Sequence, residues 1–82
     1  MTAENIKTEV RSYLIDELYF NPRQTDDGTD LFATGNLDSL AFVNLVTFLE
    51  ERYSIKVAVD DLQPERFGSL DRIAALVLEL KR

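Results

Sequence analysis

Apolar residues recur at helical spacing in three segments of this chain, and no other sequence feature constrains the fold as strongly. In the first segment they return at every fourth position: Ile6, Val10, Leu14 and Leu18. One face of an α-helix repeats at about this interval. We therefore predict an amphipathic helix from Thr2, whose hydroxyl can cap its first turn, to about Tyr19. Asn21-Pro22 ends it.

A second helix is predicted from Asp38, as its N-terminal cap, to about Tyr53, because this stretch contains no Gly or Pro. This helix contains more apolar residues than a single buried face would need. The residues that could line a core face are Leu40, Val43, Val46 and Leu49. Those that would fall partly outside that face are Phe42, Leu45 and Phe48. Two interpretations remain open, since the helix could be the most buried one or could present a docking surface, and we favour burial.

The third helical segment begins after Ser69, which can cap it. Its inward seam is predicted to contain Leu70, Ile73, Val77 and Leu80, broadened by Leu76 and Leu78. Upstream, Ile55 and Val57 alternate with polar residues as in a strand, but the chain offers no second strand to pair with them. We therefore predict an extended connector that buries both side chains, followed by a short helical turn or two over residues 60–67.

Residues 21–36 show neither a helical nor a strand period and are rich in Asp, Thr, Asn and Gly, so we predict a long loop. Loops of this length are usually functional or held by their own side chains. The apolar pair Leu31 and Phe32 is the predicted anchor. With 82 residues, the chain has room for one core. We predict an all-α fold, a four-helix bundle with three main helices, one short helix and a long loop, as a single domain over 1–82.

The composition excludes most familiar active sites, because the chain has no Cys and no His. We predict no catalytic grouping and no metal site; residues 26–30 lack the spacing and the closing Glu of an EF-hand. The pairs Asp26-Asp27, Glu50-Glu51 and Asp60-Asp61 are interpreted as solvated charge. A net charge of −6 argues against nucleic-acid binding. Neither a signal-peptide pattern nor a membrane-spanning run is seen, so we expect a cytoplasmic monomer that does not insert into membranes.

Ser39 occupies the first turn of the second predicted helix, directly after the capping Asp38. A hydroxyl at this position is accessible, and a phosphate ester on it would lie near free backbone N–H groups at the positive end of the helix dipole. Taken alone, Leu37-Asp38-Ser39-Leu40 is better explained as an ordinary helix start, because capping patterns of this kind are common.

The surrounding residues change this balance, because the sequence resembles the acyl carrier protein family along nearly its whole length. The resemblance rests on a helix, a loop with a Leu-Phe anchor and a Gly, an Asp-Ser-Leu start to the second helix, and an acidic end to that helix. In this chain these features are Asp30-Leu31-Phe32, Gly35, Asp38-Ser39-Leu40, Val43, Leu45-Val46, Leu49-Glu50-Glu51 and Tyr53. A downstream block is also similar, at Ile55-Lys56-Val57, Asp61-Leu62, Pro64-Glu65, Phe67 and Ser69-Leu70-Asp71-Arg72-Ile73.

The resemblance implies a carrier rather than an enzyme. A phosphopantetheinyl transferase would move a 4'-phosphopantetheine arm from coenzyme A to Ser39, beside Asp38, and the thiol of the arm would carry an acyl group as a thioester. The implied partners are that transferase, an acyl-loading ligase or acyltransferase, and downstream synthase or tailoring enzymes. The residues expected to contact them are Leu40, Phe42, Val43, Thr47, Phe48, Glu50, Glu51, Asp60 and Asp61.

The second helix departs from the pattern of general fatty-acid carriers. Ala41 and Asn44 stand where the resemblance leads one to expect acids, and Arg52 interrupts the acidic end. Weaker electrostatic steering is the consequence, with more recognition left to apolar side chains. This favours a dedicated biosynthetic pathway, such as a secondary-metabolite pathway. The alternatives are an aminoacyl or D-alanyl carrier, and an unmodified helical interaction module.

Overall fold

The computed structural model describes residues 2–33 and 37–81, and within these ranges the chain is all-helical without strands. The α-helices are α1 (Ala3–Asp16), α2 (Ser39–Tyr53) and α3 (Leu70–Lys81). Three short 3-10 helices lie between them, at Pro22–Gln24, Val59–Asp61 and Pro64–Phe67. The predicted all-α fold is confirmed; its short fourth helix consists of the last two 3-10 helices. Gly35 and Asn36, part of the predicted loop, and Arg82, lie outside the described residues.

Helix α1 is shorter than predicted, ending at Asp16 rather than near Tyr19. Its predicted cap is confirmed, since the Thr2 hydroxyl accepts a hydrogen bond from the backbone N–H of Asn5 at 3.2 Å. The early end follows from Tyr19, whose φ of 60° is left-handed and cannot continue a helix. This turn brings the Phe20 side chain into the core, where it is buried, and burial of a large aromatic ring offsets the strained residue before it.

The buried apolar side chains of the described residues form one cluster, with α1 packed mainly against α3. The fully enclosed members include Ile6, Val10, Leu14, Leu31, Leu45, Leu49, Phe67, Leu70, Ile73, Leu76 and Val77. Ile55 and Val57 are buried as well, which confirms the predicted connector. No helix within residues 2–33 and 37–81 has both the length and the apolar character needed to cross a bilayer.

The buried face of α2 differs from the predicted one. Ala41, Leu45, Leu49 and Tyr53 point into the core, whereas Leu40 and Val43 are 70% and 58% exposed. The predicted core face is therefore wrong for Leu40 and Val43 and right for Leu49, while Val46 is partly buried against the core. Because α2 is apolar on several sides, its periodicity did not single out one stripe, and the neighbouring elements decide which stripe faces inward.

The loop before α2 is held mainly by Leu31. This side chain is fully buried, and the Leu31 N–H donates to the Gly68 carbonyl at 2.8 Å. Phe32, predicted as an equal anchor, is only half-buried. The Asp71 N–H also donates to the Asp27 carbonyl at 3.0 Å. Two backbone bonds therefore join the loop to the segment that begins α3.

Candidate functional site

The N-terminus of α2 is capped by Asp38, as predicted. Asp38 has an extended backbone, and its Oδ1 accepts a hydrogen bond from the Ala41 N–H at 2.8 Å. The Asp38 carbonyl also accepts the Phe42 N–H at 2.8 Å. These two bonds fix the direction of the first turn of α2.

Ser39 is the first residue within α2, and it is exposed. N–H groups at the very start of a helix have no intrahelical acceptor, and together with the dipole they favour a negatively charged group nearby. The chain has no His that could activate the hydroxyl as a general base. The exposed Ser39 side chain therefore lies where a negatively charged group is favoured.

An apolar cleft of about 430 Å³ opens beside Ser39. Three elements build it: the loop before α2, the first turn of α2, and the segment that contains the two later 3-10 helices. Its lining residues are Phe32, Leu37, Asp38, Ser39, Phe42, Leu62 and Pro64. The exposed Ser39 therefore lies at the edge of an apolar surface.

An ionic cluster connects the loop to α1 and α3. The nearly buried Lys7 ammonium contacts Asp27 at 2.9 Å, Asp71 at 3.0 Å and Glu4 at 2.9 Å. Arg11 pairs with Asp27 and donates from Nε to the Thr25 carbonyl at 2.9 Å. The hydrogen bond from Lys7 is the main cause that lowers the pKa of the Asp27 carboxyl below its ordinary value.

The interpretation of Asp26-Asp27 as solvated charge is therefore wrong for Asp27. Its side-chain partners Lys7 and Arg11 lie 20 and 16 residues away in sequence, so no local pattern could reveal them. The loop that leads to Ser39 is held on one side by this cluster and on the other by the burial of Leu31.

A second polar junction fastens α1 to the C-terminal half of α2. The Tyr53 hydroxyl donates to Glu9 Oε1 at 2.6 Å, and Arg52 donates to Glu9 Oε2 at 2.5 Å. Burial, followed by the contact with Glu9, raises the pKa of the Tyr53 hydroxyl, and the Tyr53 hydrogen bond lowers the pKa of Glu9. Arg52, which interrupts the acidic end of α2, thus has a structural partner.

The predicted partner-contacting residues do not all share one surface. Leu40 and Val43 are exposed on α2, and a shallow groove of about 180 Å³ is lined by Phe42, Val43, Val46, Thr47 and Leu62. The ring of Phe48 instead stacks on Tyr13 with centroids 4.1 Å apart, in a different groove between α1 and α2. Phe48 is therefore separated from the Ser39 side of the helix.

The predicted acidic contacts also fall into two groups. Glu51 and Asp60 are exposed. Glu50 is half-buried and accepts the Val57 N–H at 2.9 Å, so it holds the connector to α2. Asp61 is half-buried and lies 3.5 Å from Arg66. Glu50-Glu51 and Asp60-Asp61 were both interpreted as solvated charge, and that interpretation is wrong for Glu50 and Asp61.

Sequence reasoning did not assign Phe32, Leu62 or Pro64 to the cleft beside Ser39. Leu62 follows two acidic residues in a segment without helical periodicity. No repeat of apolar residues therefore indicates that its side chain lies next to α2. As an apolar residue in a loop, Phe32 is predicted to be a core anchor and not part of a surface cleft. Phe32 lies seven residues before Ser39, whereas Leu62 and Pro64 lie more than 20 residues after it, and the three side chains meet at the cleft only through the tertiary fold.

Residues 8–77 match the model of a protein family described as "Phosphopantetheine attachment site". The chain belongs to this family. A D-alanyl carrier protein of Streptococcus gordonii is 34% identical over 77 residues, which cover 94% of this chain and 96% of that relative. D-alanyl carrier proteins from two strains of Streptococcus thermophilus show the same identity and coverage.

Membership of this family confirms 4'-phosphopantetheine as the covalent cofactor. The family match and the names of the relatives indicate a carrier protein rather than a catalyst. They also fit a biosynthetic role. The chemistry is consistent with a chain that lacks Cys, because the reactive thiol enters with the cofactor.

Proposed function

We propose that Ser39 is the attachment residue for 4'-phosphopantetheine and that the chain carries a thioester-bound cargo on this arm. The observation that carries the proposal is the exposed Ser39 hydroxyl at the Asp38-capped start of α2, beside an apolar cleft. The site fits the group, since the helix N-terminus favours the phosphodiester anion and the cleft offers apolar contact.

The attachment step transfers a phosphopantetheine group from coenzyme A. Ser39 Oγ forms a bond to the pantetheine-bearing phosphorus, the bond from that phosphorus to the other phosphate breaks, and 3',5'-adenosine diphosphate leaves. The serine proton passes to a base of the transferase. Once attached, the group supplies a thiol that forms a thioester with the carboxyl group of the cargo.

We infer that the cargo is an aminoacyl group, with D-alanine the first to test. The support is that relatives matching almost the full chain are named D-alanyl carrier proteins. The partners would then be the phosphopantetheinyl transferase, a ligase that activates the amino acid and loads the thiol, and an enzyme that accepts the aminoacyl group. Loading would take place in the cytoplasm, where coenzyme A and ATP are available.

A longer acyl group is the second candidate cargo, in a dedicated biosynthetic pathway. It is favoured by the apolar lining of the cleft beside Ser39. The exposed Leu40, Val43 and Thr47, with Phe42, are the residues on this side of α2 that we propose contact partner enzymes. Glu51 and Asp60 are exposed and remain part of this proposal.

Incubation with coenzyme A and a broad-specificity transferase tests the attachment residue. We expect the intact mass to rise by one phosphopantetheine, and Ser39→Ala to abolish the increase. Ser12→Ala is a matched control, because Ser12 is also exposed and helical but lies in α1. Modification that persists in Ser39→Ala would refute the assignment.

The cargo is tested by mass spectrometry of the protein purified from its native host. A D-alanyl thioester, released by hydroxylamine, is the expected result. An aliphatic acyl thioester in its place would refute the aminoacyl proposal and favour the second candidate.

A further inference from the structure

Three aromatic side chains line up from the cleft beside Ser39 toward the core. Phe32 comes from the loop, Phe42 from α2 and Phe67 from the last 3-10 helix. The Phe32 and Phe42 ring centroids are 6.2 Å apart, and those of Phe42 and Phe67 are 5.0 Å apart in an edge-to-face arrangement with an interplanar angle of 86°. This geometry is the favourable one for aromatic pairs.

The three rings differ in how deeply they are buried. Phe32 and Phe42 are half-buried and line the cleft with Ser39, whereas Phe67 has no exposed surface. Phe42 lies three residues after Ser39, so it stands one helical turn below the hydroxyl. The route from the cleft to the interior therefore meets Phe42 first and Phe67 behind it.

We propose that the Phe42–Phe67 pair closes the interior of the bundle beneath Ser39, so that the cargo stays in the surface cleft. This inference rests on the proposed carrier function and specifies its cargo class. A carrier closed in this way suits a small, polar cargo such as an aminoacyl group, which needs no apolar shelter.

The physical reason is the density of protein interiors. A chain of several methylene groups could enter only by displacing Phe67 from its place among fully buried side chains such as Leu45, Leu70 and Ile73. Well-packed cores do not accept extra methylene groups without strain. Replacing Phe67 by a smaller residue should remove the obstacle and leave apolar space that an alkyl chain can fill.

The absence of Cys from the chain allows a test that needs no transferase. Ser39→Cys supplies a single thiol, which is alkylated with N-octylmaleimide or with N-methylmaleimide. The two adducts are compared by thermal midpoint and by the NMR signals of core methyl groups, in the otherwise unchanged chain and with Phe67→Ala added. Phe42→Ala is the second opened variant, should Phe67→Ala fail to fold.

In the otherwise unchanged chain we expect the methyl signals of Leu45, Leu70 and Ile73 to coincide in the two adducts, because the octyl chain reaches only the surface cleft. In the opened variant the octyl adduct should melt several degrees above the methyl adduct and should shift those signals. The matched control is Phe48→Ala, whose aromatic ring stacks on Tyr13 away from the cleft, and in which the octyl chain should give no such gain.

Two results would overturn the inference. One is an octyl-dependent shift of these core methyl signals in the chain that retains both rings, and the other is no octyl-dependent shift in the folded opened variant. Because alkylation of Cys bypasses the natural modification, these results do not depend on whether a transferase recognises Ser39. Failure of enzymatic modification would refute only the proposed function.

Discussion

The Asp38 and Ser39 side chains are adjacent, yet the structure gives them separable roles that substitutions can distinguish. Asp38 Oδ1 accepts the Ala41 N–H at 2.8 Å and caps α2. Asp38→Ala removes this acceptor, and loss of an N-terminal cap costs about 1 kcal/mol. For a domain of 82 residues, that loss corresponds to a decrease in thermal midpoint of about 4–8 °C.

Ser39→Ala should leave the thermal midpoint unchanged or slightly higher, because Ser39 is exposed within α2 and Ala has the higher helix propensity. The same substitution should abolish attachment of phosphopantetheine. Asp38→Asn is the matched control for the cap, since an Asn side chain caps a helix about as well as Asp.

Thermal and urea unfolding followed by circular dichroism measure the stability, and intact mass measures the modification. The reasoning is refuted if Ser39→Ala destabilises the fold as much as Asp38→Ala does. It is equally refuted if Asp38→Asn loses as much stability as Asp38→Ala, because the effect would then not arise from the cap.

Two further predictions concern the loop before α2. Leu31→Ala should lower the free energy of unfolding by about 3 kcal/mol, because Leu31 is fully enclosed; Phe32→Ala should cost clearly less, and equal losses in urea titrations would contradict the assigned depths. Asp27 has a pKa below its ordinary value, so its contribution to stability is complete above that ordinary value and disappears as the pH falls through the lowered one. Thermal midpoints measured from about pH 7 down to about pH 2 should therefore fall less steeply with pH in Asp27→Asn than in the unchanged chain. Asp26→Asn, at an exposed neighbouring position, should retain the full dependence on pH. An unaltered pH dependence in Asp27→Asn would show that the Lys7 contact does not stabilise the fold.

Much of the local structure could be predicted from the sequence, because its causes are local. The four-residue spacing in α1 predicted a helix, and the Thr2, Asp38 and Ser69 caps are present as hydrogen bonds to the N–H groups of Asn5, Ala41 and Arg72. The end of α1 was placed too late, because the left-handed turn at Tyr19 serves the burial of Phe20. When a side chain is buried by elements distant in sequence, the neighbouring residues contain no pattern that predicts it.

The starts of the three α-helices, the helical character of the described residues and the position of Ser39 at the start of α2 could all be predicted from local sequence, since hydrophobic periodicity and caps act within a few residues. The buried side of α2, the pairing of the acids and the meeting of Phe32, Leu62 and Pro64 in the cleft beside Ser39 depend instead on how the segments pack together. An apolar stripe can pack against many different surfaces, and a carboxylate can pair with many different cations, with similar free energy. The partner is chosen by the packing of segments that lie far apart along the chain.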